Sequence, residues 1–509
     1  MLSGTDLNVR NKLLTGLLLI VAIASAVTLV LLGQSGVGMV VFVSVAVVVT
    51  VASLYSGEFG LMALIFVAAV DGFLKGISPG WHTQLLKDYL IAILLLRWAW
   101  MMLMGHRPKS LSTGPALPIA LFAGWTAVQL FNARLGSVIL GLAGFRTWLL
   151  WVPVFFIAHD MLRSRRQIEH MVLFIVFLLL PVSVYGIIQY QVGLDHLYRL
   201  GSGFDVYRSA HYAGSGGLEL RPPSTAVTPH TFAGLAVMGL FLTTGLVGYF
   251  SRRRILQLVL VASIPIMSTA ILITAVRNAA ASAVIGGIAI LVIIRRVDLA
   301  LIVAALGILA FLQVDVMTAD EATTRVRSVV DNLDYTVGRI MGPWQSGLRS
   351  AIETPLGRGI ASGVGLGRVA LEQGYGPENM APETRFNWIE NEYGRALREL
   401  GMPGFIFFVW MLYAVLRGNL RAYHSAVTRR DSWLLAGLFG ACSTVLARLL
   451  VGSALYGPAG SLFWLFGAMA LRISEVEQDE IVSHHSSSAE ARATVLGAAE
   501  LPWQRRAGQ

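Results

Sequence analysis

Ile389-Glu390-Asn391-Glu392-Tyr393-Gly394-Arg395-Ala396-Leu397-Arg398-Glu399-Leu400-Gly401 carries five charges in thirteen residues and runs directly into the apolar stretch from Met402 to Leu416. A junction of this kind marks the point where a chain leaves water and enters hydrocarbon. It closes the interval from Gly338 to Gly404, which also holds Trp344, Gly357, Gly359 and Trp388. In a chain otherwise built of apolar runs, this is the one long interval that cannot enter a bilayer, so chemistry is sought here.

The 509 residues are 55% hydrophobic and 13% charged, with a mean hydropathy of +0.67, whereas a soluble domain carries about 25% charged residues. The composition predicts an all-α, polytopic helical membrane protein. The net charge of +10 does not point to nucleic acid, because the basic residues fall in short clusters between apolar runs, as topology signals and anionic lipid contacts do. The single cysteine, Cys442, lies in an apolar run, excludes an internal disulfide, and reads as an inert core residue.

Hydropathy windows place spans near 13 to 32, 36 to 55, 60 to 75, 87 to 104, 115 to 132, 143 to 162 and 168 to 190. They continue near 228 to 249, 255 to 275, 278 to 294, 298 to 315, 402 to 417, 432 to 451 and 457 to 473. The expectation is about 14 transmembrane helices, within a range of 12 to 14. The first run is too long to be only a signal peptide cut after Ala22-Ile23-Ala24, and reads as an uncleaved helix. Asp71, Lys87, Asp88 and Arg97 lie in or beside apolar runs, where charges are functional or paired.

With residues 1–12 cytoplasmic, the clusters His106-Arg107-Pro108-Lys109, Arg163-Ser164-Arg165-Arg166, Arg252-Arg253-Arg254, Arg295-Arg296 and Arg417 through Arg430 all fall on the cytoplasmic side. This divides the chain into helices over 13–190, a periplasmic loop at 191–227, helices over 228–315, a large periplasmic loop at 316–401 containing short helices, and helices over 402–473. The tail, 474–509, is rich in Ser, Ala and Glu and reads as disordered cytoplasmic chain, its His484-His485 too few for a zinc site.

Three arginines stand at outer ends, where the positive-inside rule does not ask for them. They are Arg221 in Arg221-Pro222-Pro223-Ser224, Arg277 in Val276-Arg277-Asn278, and Arg146 in Gly144-Phe145-Arg146-Thr147. A guanidinium is permanently charged and its planar fork matches phosphate oxygens, so this placement suits a lipid diphosphate; the bland reading is snorkelling to headgroups. In the large loop, Glu390 to Glu399 read as a helix start. Glu390, Tyr393, Gly394 and Leu397 share one face, and Arg395 pairs with Glu399 on another. A tuned carboxylate there takes a proton from a hydroxyl, and the competing reading is a solvated, salt-bridged helix start. Glu390 and Glu392 diverge on a helix and hold no metal, and no DxD, HExxH, P-loop or GxSxG motif is present.

The order of these pieces resembles the O-antigen ligase and polymerase superfamily of bacterial envelope glycosyltransferases over roughly 140 to 420. The resemblance rests on Arg221 with Pro229-His230, Val276-Arg277, Arg339 with Trp344 and Gly357-Arg358-Gly359, and Glu390-Asn391 followed by Glu399-Leu400-Gly401. Tyr185-Gly186-Ile187-Ile188-Gln189-Tyr190 at a span end adds to it. It implies a metal-independent, cofactor-free glycosyltransferase of the bacterial inner membrane with a periplasmic active site and an undecaprenyl-diphosphate-linked glycan as donor. A flippase and a chain-length regulator are implied as partners alongside membrane lipids.

Arg221, Arg277 and Glu390 take the catalytic roles in that reading, with Arg146, His230, Arg339, Trp344, Asn391, Tyr393, Arg395 and Glu399 around the substrate. Glu390 stands where ligases of the family carry histidine, which favours polymerisation of exopolysaccharide or O-antigen repeats over ligation to lipid A core. His230 and His211 are the alternative bases. Protein O-glycosylation stays open, as do a transporter or flippase of lipid-linked sugars and a structural membrane subunit.

Overall fold

The computed structural model describes residues 48–77, 79, 81–135, 138–213, 219–295, 333–363 and 389–499. The expected spans at 13 to 32 and 298 to 315 lie outside the described residues, as does all of 36 to 55 before residue 48. The described chain is helical, with one antiparallel pair of two-residue strands, Tyr212–Ala213 and Glu219–Leu220.

The principal helices are α1 (Gly57–Ile77), α2 (Trp81–Leu103), α3 (Ala116–Val128), α4 (Val138–Leu149), α5 (Pro153–Met161) and α6 (Arg165–Val192). They continue as α7 (Pro229–Tyr249), α8 (Arg254–Ile273), α9 (Arg277–Ile293), α10 (Leu333–Glu353), α11 (Glu392–Ser425), α12 (Arg429–Leu449) and α13 (Pro458–Ala499).

Among the described residues, seven helices are long and apolar enough to cross a membrane: α1, α6, α7, α8, α11, α12 and α13 as far as Asp479. The pair α4 and α5, bent by 42° at their junction, is either a broken eighth span or a re-entrant loop. The architecture is that of a multi-pass helical membrane protein, but the expected count of about 14 is not reached in the described residues. Three expected spans appear as lesser helices. α3 and α9 are short, and α2 carries Lys87, Asp88 and Arg97.

Local chemistry starts the helices where the apolar runs begin. Ser164 caps α6 in a reciprocal box with Gln167, and Thr428 caps α12 by accepting from the Asp431 amide. Thr228 accepts from the Thr231 amide at the start of α7, where Pro229 supplies a preset φ. The centre of the bundle is α7 and α13, whose apolar windows are 72% and 83% buried, whereas that of α8 is 28% buried. α7, α9 and α12 approach closely through small residues, as membrane helices do without a hydrophobic drive between them. A Cβ on Gly437 would meet the Phe241 carbonyl at 2.7 Å, and one on Gly286 would meet Thr444 at 2.4 Å.

Contacts between connections sort to two ends of the bundle. At one end Thr225 Oγ1 donates to the Ala69 carbonyl, Gln129 Nε2 to Leu356, and Trp125 Nε1 to Leu400. At the other end Arg430 pairs with Glu169 at 2.7 Å, Arg165 with Asp431, and His159 Nε2 with Glu475 at 3.1 Å. The second set lies in the connections that carry the basic clusters.

The tail from residue 474, expected to be disordered, instead continues α13 to Ala499. Its first turns are held by their acids. Glu475 bonds His159 and Arg472, and Glu477 Oε1 accepts the amides of Val427 and Thr428 at 3.0 and 2.9 Å. The side chains of His484 and His485 lie outside the described residues.

Candidate functional site

The charged run that opens α11 turns inward. Asn391 caps the helix, its Oδ1 accepting from the Gly394 amide at 2.6 Å. Glu392, Arg395 and Glu399 follow at helical spacing, and are 1%, 0% and 0% exposed. The expected pairing of Arg395 with Glu399 is present, Nε to Oε1 at 3.3 Å, but the helix start is buried instead of solvated. The charges enter because they satisfy one another and the neighbouring chain. Glu399 Oε2 takes the Trp148 indole N–H at 2.6 Å and Oε1 the Gly363 amide at 2.8 Å. Arg395 lies over the Trp148 ring at 4.1 Å and donates to Thr147 Oγ1 at 2.7 Å.

The Gly357-Arg358-Gly359 turn lies along the backbone of this helix. Arg358 N donates to the Arg398 carbonyl at 2.9 Å and Gly359 N to that of Glu399 at 3.1 Å. Both glycines have positive φ, +94° and +97°, a conformation that glycine adopts at no steric cost. α10 closes over the same stretch, with Trp344 stacked on Tyr393 at 5.5 Å and 19°. Its Gly347 leaves room for the Gly394 carbonyl, which a Cβ would meet at 2.6 Å. Arg339 lies on α10 with its side chain outside the described residues, as is Trp388 altogether.

Glu390 is not on the helix. It precedes the cap and is half-buried, and its carbonyl accepts from Ser453 Oγ at 3.3 Å. Two residues on, Glu392 Oε2 accepts the amides of Ala454 and Leu455 at 3.0 and 3.2 Å. Both contacts draw the connection between α12 and α13 over the site. Among the described residues, no three His, Cys, Asp or Glu side chains are grouped to hold a metal ion.

Arg221 reaches this end by a separate route. Its amide donates to the His211 carbonyl at 2.8 Å, and the turn after it is clamped by Gln189, which donates to the Ser224 carbonyl and accepts the Ser224 amide. That clamp compensates the positive φ of Ser224, +55°. Arg221 Nε then donates to the Thr274 carbonyl at 2.9 Å, three residues before Arg277. Arg277 opens α9 and is exposed. Its neighbour Asn278 lies against Gly452, Nδ2 standing 3.2 Å from where a Cβ would be, and Gly452 adjoins the Ser453 that holds Glu390. The two arginines and Glu390 therefore belong to connected segments.

The remaining expected residues divide. His230 is exposed on the first turn of α7. His211 is fully buried between Tyr198 Oη at 3.0 Å and the Val227 carbonyl at 3.0 Å. Burial lowers its pKa, and a carbonyl partner requires Nε2 to carry the proton, so it serves as a structural strut. Arg146 spends its fork on Asp88, Nε to Oδ1 at 2.6 Å and Nη2 to Oδ2 at 2.7 Å. That pair neutralises one of the odd charges beside the apolar runs. Lys75 and Lys87 neutralise Asp71 in the same way, at 2.6 and 2.9 Å.

One residue of the site is absent from the sequence-based set. Arg448, at the end of α12, is 5% exposed and donates to the His230 carbonyl at 2.8 Å. Its Nε and Nη1 have no hydrogen-bond partner among the described residues. It passes α7 at Gly234, where a Cβ would stand 1.9 Å from Nη1. The signal that singled out Arg277, an arginine at an outer span end, applies equally to Arg448. With Arg395 and Arg398, the buried part of the site holds three guanidiniums against the carboxylates of Glu392 and Glu399. The arrangement is an anion-attracting end with a carboxylate, Glu390, beside it. No protein-family model and no curated protein matches this chain.

Proposed function

We propose that the chain is a membrane glycosyltransferase of the kind found in the O-antigen ligase and polymerase superfamily. The donor is a glycan on undecaprenyl diphosphate, and the reaction extends exopolysaccharide or O-antigen repeats at the periplasmic face of a bacterial inner membrane. The observation that carries this reading is the strap from Arg221 to the Thr274 carbonyl, which joins two guanidinium-bearing span ends beside the segments that hold Glu390.

Arg221 and Arg277 grip the diphosphate and stabilise the charge it gains on leaving. Glu390 accepts the proton of the acceptor hydroxyl. The hydroxyl oxygen then bonds to the anomeric carbon, the bond from that carbon to the phosphate oxygen breaks, and its electron pair departs with the lipid diphosphate. Arg146 has no part in this, its fork being committed to Asp88. The surplus of buried guanidinium over carboxylate supplies positive charge for an anionic leaving group. The short helices α3 and α9, with α2 and the runs at 13 to 32, 36 to 55 and 298 to 315, complete the 14 crossings of the topology.

Replacing Arg277 or Glu390 by Ala, in protein still inserted in the membrane, is expected to shorten or abolish the polymer ladder on gels. Unchanged long-chain polymer in both variants would sink the mechanism. Loss of even single repeats from the outer surface would overturn it in favour of transport.

A further inference from the structure

At the basic end of the bundle, opposite Glu390, the structure holds a cavity of about 200 Å³ that the proposed reaction does not use. One wall is apolar, formed by Trp98, Met101 and Met102 of α2 with Pro108, and His106 and His159 also line the cavity. The other carries Arg107, Lys109, Arg163 and Arg472, against a single lining carboxylate, Asp160. That carboxylate is already satisfied. It accepts from Trp98 Nε1 at 2.8 Å, the Ser110 amide at 2.9 Å and Ser110 Oγ at 2.6 Å.

The cations are unequally committed. Arg472 is 7% exposed and spends its fork on the carbonyls of Leu162 and Arg163 and on Glu475. Lys109 reaches Asp479 at 3.4 Å in a pair that is more than half exposed on both sides. Among the described residues, Arg163 uses only Nε of its side chain, toward the Asp160 carbonyl at 3.3 Å. Arg107 is exposed and makes no hydrogen bond or ion pair among the described residues. Beside this mouth, α2 and the residue after it present Trp100, Leu103 and Met104 bare, at 58%, 80% and 57% exposure. A ligand suited to both halves is a phosphate with apolar chains.

We propose that this cavity binds the phosphodiester headgroup of an anionic membrane lipid, with Arg107 and Arg163 on the phosphate and the acyl chains along Trp100 and Leu103. Basic pockets between membrane helices recognise anionic headgroups in this manner, and a guanidinium fork matches phosphate oxygens. Occupancy joins three separate segments: α2 with the connection after it, the end of α5, and the start of the α13 extension through Arg472. The site is independent of the glycosyl transfer at the other end.

The test uses the full chain, purified and delipidated in a neutral detergent, with thermal unfolding as the readout. Phosphatidylglycerol is expected to raise the melting temperature by several degrees, as a ligand bound only by the folded state does. Phosphatidylcholine and glycerol phosphate at the same concentration are expected to do much less. In an Arg107→Ala, Arg163→Ala double variant the response to phosphatidylglycerol is expected to fall to that of phosphatidylcholine. Both side chains are exposed, so the unliganded melting temperature stays close to that of the parent. An equal response to the two lipids, or an undiminished response in the double variant, overturns the site. An equal response to glycerol phosphate overturns the lipid and leaves a soluble phosphate ester as the ligand.

Discussion

Glu399 and Glu390 are both carboxylates at one end of the bundle, yet their surroundings give them different work. Glu399 is fully buried and holds Arg395, the Trp148 indole and the Gly363 amide together. Removing one member of a buried ion pair strands the other charge in a poor solvent, which costs about 3–5 kcal/mol. Glu399→Ala is therefore expected to lower stability by that order, measured by thermal unfolding of the purified protein. Combining it with Arg395→Met should cost less than the sum of the two, because the stranded guanidinium is gone. Glu390 is half-buried and lies before the helix cap, so Glu390→Ala is expected to change stability by well under this amount. The two variants separate a scaffold carboxylate from one placed to meet a substrate.

At the scale of elements, the apolar runs were legible, because a helix in hydrocarbon must satisfy its own backbone; the caps Ser164, Thr228 and Thr428 that start three of them came with the structure. The charged run before α11 was legible as a helix with an Arg395–Glu399 pair, but not as a buried one. Charge density reads as contact with water, and only the fold reveals that Trp148, Gly363 and the 454–455 amides take water's place. The place of Arg448 at an outer span end was legible by the same signal as Arg277; what only the fold reveals is the notch at Gly234 that admits its side chain. The expected boundary between loop and span at 401 and 402 coincides with the break in α11 at Gly401, where φ is 67° and ψ is −170°. That conformation is close to exclusive to glycine and costs other residues about 1–3 kcal/mol. A Cβ there would also stand 2.3 Å from the Pro355 carbonyl. Gly401→Ala is thus expected to lower the melting temperature strongly and to disturb the Gly357 turn. Gly342→Ala on α10 meets nothing within 4 Å, and should be neutral or stabilise by about 0.5–1 kcal/mol. Equal melting temperatures for the two variants would remove the kink from the account.

For the whole molecule, the decisive property is that contacts between connections sort to two ends, one holding Arg221, Arg277 and Glu390 and the other the basic clusters. Cysteine usage makes this testable. Cys442, the one cysteine in the sequence, is fully buried in α12 beside Asn419 Nδ2 at 3.4 Å, so a Cys442→Ala background removes it at modest cost. Arg208 lies in the segment leading to Arg221 and its side chain is 60% exposed, while Arg252 is exposed in the turn between α7 and α8. In sealed cells, a membrane-impermeant maleimide is expected to label the Arg208→Cys variant directly, and the Arg252→Cys variant only after the membrane is permeabilised. Labelling of both from the same side would break the two-ended arrangement. Labelling in the reverse order would keep the fold but turn Arg221, Arg277 and Glu390 toward the cytoplasm, where the proposed donor and acceptor do not meet.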